Sequence, residues 1–87
     1  MITLERWQTF SKRDQLAHIA SEIMRASLAS NENDCKAVLE RAIDLIDLSL
    51  SDTKWRDDSL MILYLRDRLA NVYIGKSRDL KEILAAI

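Results

Sequence analysis

Few side chains in this sequence could do chemistry, and each comes with a plainer alternative. His18 is the only histidine. Asp14 and Glu22 lie one helical turn to either side of it, so two carboxylates would favour the charged imidazole, as a catalytic base could use. The same spacing describes an exposed i, i+4 charge ladder, which is the expectation here. Glu40, Asp44 and Asp47 follow one another at helical spacing and could hold a hard cation such as calcium, magnesium or manganese if another helix brought more oxygens. They fall opposite the apolar stripe of their own segment, so they read as a solvated face. Cys35 sits within an apolar stripe with Lys36 as its only adjacent cation, which predicts packing rather than a nucleophilic thiolate. Arg66 lies between Ile62 and Leu69 in an apolar sector. Its guanidinium must therefore reach outward or find a carboxylate on another helix or a second chain.

The segment Leu65-Arg66-Asp67-Arg68-Leu69-Ala70-Asn71-Val72-Tyr73 resembles the arginine-polar-x-x-x-histidine motif of HEPN-type helical domains, small bundles that often dimerise and in many members cleave RNA. Asn71 stands where the histidine of that family would be. A second match, Arg13-Asp14-Gln15-Leu16-Ala17-His18, keeps its histidine but falls early in the chain rather than near the C-terminal end. The resemblance covers about a tenth of the chain. It implies a ribonuclease-like scaffold, related to RNA or to a toxin partner. With Asn71 in place of imidazole that scaffold lacks its base, because an amide cannot accept and return a proton.

These residues must be held by helices. The chain has 87 residues with one glycine and no proline, 48% hydrophobic and 31% charged, and turn-rich β folds cannot be built without breakers. One domain spanning 1–87 is expected, all-α: an up-down-up bundle of three long antiparallel helices plus a short C-terminal helix. Basic and acidic residues number 13 and 14, so no net field draws the protein to nucleic acid or anionic lipid. The basic residues are interleaved with aspartates rather than gathered on one face, which argues against nucleic-acid binding. Leu60 to Leu65, the longest apolar run, is too short to span a bilayer, and the first ten residues lack the apolar core of a signal peptide. A single cysteine closes no intrachain bridge. The expectation is a cytoplasmic protein without cofactor, metal or catalytic residues.

Polar punctuation places the elements. Leu4, Trp7 and Phe10 form a short helical or extended lead whose rings cover one end of the bundle. Ser11 caps a first helix running to about Ala29, with Leu16, Ile19, Ala20, Ile23 and Ser27 inward and Asp14, His18, Glu22 and Arg25 outward. Ser30-Asn31-Glu32-Asn33 connects it to a second helix, from about Asp34 to Leu50. Ser51-Asp52 caps a third helix over 53–75, with Trp55 on its core stripe, Asp57 and Asp58 in its early turns, and Gly75 as its left-handed C-terminal cap. Ser77 caps the last helix, whose stripe is Leu80, Ile83, Leu84 and Ile87.

The third segment is apolar nearly all round. Leu60 and Tyr64 sit one turn apart on its outer face near Asp67 and Asn71, with Leu63 and Ile74 widening the sector. A helix of this kind needs partners all round, and a small bundle offers only two long neighbours. Leu60, Tyr64, Asp67 and Asn71 are therefore the expected interface of a homodimer, with a further protein partner as an option. Arg66, His18 and Arg13 are the remaining candidates for function.

Overall fold

The computed structural model describes residues 2–87 and is all-helical. Five α-helices follow in order: α1 (Leu4–Trp7), α2 (Lys12–Ser27), α3 (Glu32–Leu50), α4 (Leu60–Tyr73) and α5 (Leu80–Ala86), with a 3-10 turn at Thr53–Trp55 between α3 and α4. Among the described residues there is no strand.

The starts of the first three helices follow from side-chain caps. Thr3, Ser11 and Asn31 each adopt extended backbone and accept a hydrogen bond from the amide three residues on, satisfying a donor the helix itself leaves open. The C-terminus of α4 closes as its sequence foretells. Gly75 takes a φ of 84°, Lys76 N donates to Asn71 O at 2.8 Å and Gly75 N to Val72 O at 3.1 Å, the paired bonds of a Schellman cap.

One cluster of buried apolar residues draws on every helix: Trp7 of α1, Ile19 and Ile23 of α2, Leu39 and Ile46 of α3, Ile62, Leu65 and Leu69 of α4, and Leu80 and Ile83 of α5. Each such side chain contributes about 1.5–3 kcal/mol on burial, so the cluster is the main source of stability. The α2, α3 and α4 helices pack in sequence, and α5 lies back against α2 and α4.

Four local expectations are corrected. The segment 53–75 is not one helix. The Asp52 side chain accepts from Lys54 N and starts the 3-10 turn, Trp55 is drawn into the core there, and the α-helix begins only at Leu60, so Asp57 and Asp58 precede it and do not load its first turn. The inward stripe of α2 is Gln15, Ile19, Ile23 and Ala26, whereas Leu16, Ala20 and Ser27 are only half-buried. Glu22, expected to face water, lies mostly covered between α2 and α3. Ser77 accepts from Asp79 N, but the last helix starts after Asp79, two residues beyond the expected cap.

Candidate functional site

The outer face of α4 is the most apolar exposed surface of any one helix. Leu60 is 82% exposed, Leu63 47% and Tyr64 44%. They occupy i, i+3 and i+4 of a single turn and therefore form a contiguous patch. Asp67, one turn further, is exposed, while Asn71 is half-buried and forms the edge of the stripe. Leu63, which sequence reasoning set to one side of this face, belongs to it. The α4 N-terminus leads directly into the patch, and Ser59 provides no side-chain cap there.

Beside the patch, α3 and α4 are joined by polar rungs. Arg66 Nε donates to Asp47 Oδ1 at 2.7 Å and its Nη2 to Oδ2 at 3.4 Å. Tyr73 OH donates to Glu40 Oε1 at 2.6 Å. The partners are seven positions apart on each helix and run in opposite directions along the two helices, so α3 and α4 are antiparallel. Continuing that register brings Leu50 across from Leu63, and both are exposed apolar residues. The rungs account for Arg66, whose guanidinium finds the carboxylate that its place in an apolar sector requires. Hydrogen bonding to Asp47 and the attraction of its charge hold Arg66 still more firmly protonated. Both partners are more than 40% exposed, so the pair is worth no more than about 1 kcal/mol.

Glu40 and Asp47 stay exposed, as a solvated face requires, while they accept hydrogen bonds from Tyr73 and Arg66 of α4. Asp44 departs from that face and is half-buried beside Leu45 in the α2–α3 groove. Among the described residues no group of three His, Cys, Asp or Glu side chains converges as a metal site. Lys36 places its Nζ 5.7 Å from the centre of the Tyr73 ring, adding a cation–π contact to the upper rung.

The remaining candidates are dispersed. His18 is exposed and stacks on Phe10, ring centres 5.0 Å apart, with Trp7 at 5.9 Å; it forms no ion pair with Asp14 or Glu22. Glu22 pairs instead with Arg25 at 3.1 Å. Arg13 is exposed on α2. Of the arginine and asparagine that the HEPN resemblance would pair, Arg66 is engaged by Asp47 and Asn71 lies at the edge of the α4 face. Cys35 is half-buried between α2, α4 and the loop before α5.

Sequence reasoning missed a buried polar network around Gln15. Gln15, Ser49 and Asp52 are each less than 5% exposed. Gln15 receives the Trp55 indole N–H at 2.6 Å and donates to both Trp7 O, at 2.8 Å, and Asp52 Oδ2, at 3.0 Å. The Trp7 indole donates to Ser49 Oγ at 2.9 Å, which in turn donates to Leu45 O. Lys54 Nζ bridges Asp52 Oδ2, at 2.8 Å, and Gln8 O, at 3.0 Å. The network fastens α1 and the 3-10 turn to α2 and α3, and its groups satisfy one another, which assigns it to holding the fold. Two signals could have found it: Gln15 at helical spacing from Ile19 and Ile23, and two tryptophans whose N–H groups need partners once buried.

No helix among the described residues is long and apolar enough to cross a membrane. No protein-family model, curated protein or solved structure matches the chain.

Proposed function

We propose that this chain is a small non-enzymatic helical module whose activity is association: it forms a homodimer in the cytoplasm through the outer face of α4, with Leu60, Tyr64, Asp67 and the edge at Asn71 as the contact and Leu63 completing it. A further protein could occupy the same face. The observation that carries this reading is the exposure of Leu60, 82%, in one turn with two other large apolar side chains. Contiguous exposed apolar surface of this kind marks interaction sites more often than isolated residues do. Size adds to the case, since in a chain this short core burial and ordering entropy nearly cancel and interchain burial supplies stability the monomer lacks. The scaffold in this reading is the up-down-up order of three long antiparallel helices, supported by the antiparallel rungs between α3 and α4.

Sedimentation equilibrium at micromolar protein tests it. The wild type should sediment as a dimer, and Tyr64→Glu should weaken that dimer at least tenfold with helicity by circular dichroism retained. A wild type that is monomeric throughout would remove the reading, and a Tyr64→Glu variant as dimeric as wild type would remove this choice of face. Cleavage of RNA by the pure protein, lost on Arg13→Ala or His18→Ala, would replace it with the HEPN-like alternative.

A further inference from the structure

We draw no further inference here: the strongest candidate, the groove between α2 and α3 where Glu22 Oε2 is buried without a hydrogen-bond partner beside Arg41 and Asp44, has its other carboxylate oxygen paired with Arg25, and nothing in the structure shows what would fill it.

Discussion

The side-chain oxygen of Gln15 accepts the indole N–H of Trp55 at 2.6 Å, across forty positions of sequence. That single amide also donates to the carbonyl of Trp7 and to Asp52, so it ties α2 to both α1 and the 3-10 turn at one point. A buried amide that bonds three groups fixes how they meet, because an apolar substitute of similar size leaves the Trp55 indole N–H without a partner and removes one of the two hydrogen bonds made by the Trp7 carbonyl and by Asp52 Oδ2.

Gln15→Leu should therefore destabilise the protein by about 1–3 kcal/mol, the cost of one buried donor left without a partner. Urea unfolding of the variant checks it, read as a shift in midpoint at constant m-value. A change of less than about 0.5 kcal/mol would mean that the apolar replacement is tolerated and the network does not anchor the core.

Asp52 gives the network a pH dependence. Burial alone would raise its carboxyl pKa. Hydrogen bonds from the Lys54 ammonium, the Gln15 amide and the Lys54 backbone N–H, together with the Lys54 charge, outweigh that and hold it below the ordinary carboxylate value. The unfolded chain then binds its proton at a higher pH than the folded one. The stabilisation is complete above the unfolded value, about 4, and is lost as pH falls through the depressed folded value. Asp52→Asn should be less stable at neutral pH, and the gap between the two proteins should narrow as the solution is acidified through that range. A gap that stays constant would show that Asp52 keeps its unfolded pKa.

Much of the fold was legible because its determinants are local. The caps at Ser11 and Gly75 and the connector around residue 30 follow from side chains acting on backbone within a few residues. The α5 stripe holds at Leu80 and Ile83, whereas Ile87 lies past the helix end and is exposed. The break between Thr53 and Leu60 was not legible. Its apolar spacing continues that of a helix, and what overrides it is the long-range capture of Trp55 by Gln15. Glu40 and Asp47 fall in the polar arc of a helical wheel and stay exposed, but their pairing with Tyr73 and Arg66 was not legible, because it depends on the register of α4 against α3. For the candidate site, the exposure of Leu60 and Tyr64 followed from a helix whose apolar sector is too wide for two neighbours, whereas the inclusion of Leu63 depended on how α4 is rotated against α3.

Gly75 isolates a purely backbone effect. Its φ of 84° lies in the left-handed region, and a Cβ built there meets no atom within 4 Å. Gly75→Ala should cost about 1–2 kcal/mol, the penalty of holding an alanine in that conformation, without any packing defect. Gly75→Asn should cost less, because asparagine tolerates this region better. Equal stability of alanine and wild type would mean that the Schellman cap is not maintained in solution.

Tyr73 tests the α3–α4 register from the alkaline side. Its hydroxyl donates to Glu40 and faces that carboxylate's negative charge, and with a small contribution from burial these raise its pKa above the ordinary phenol value. A raised folded pKa means that the contact stabilises the fold fully below the unfolded value, about 10, and that this contribution disappears as pH rises through the folded one. Tyr73 ionises above the ordinary phenol value because the proton it loses is the one it donates to Glu40. Following phenolate absorbance against pH, Glu40→Gln should move one tyrosine transition to lower pH and leave the other in place, while Asp47→Asn, which breaks the rung seven positions away, should move neither. If Glu40→Gln leaves both transitions where they are, the Tyr73–Glu40 rung is not formed and the register that sets Leu50 across from Leu63 loses one of its two fixed points.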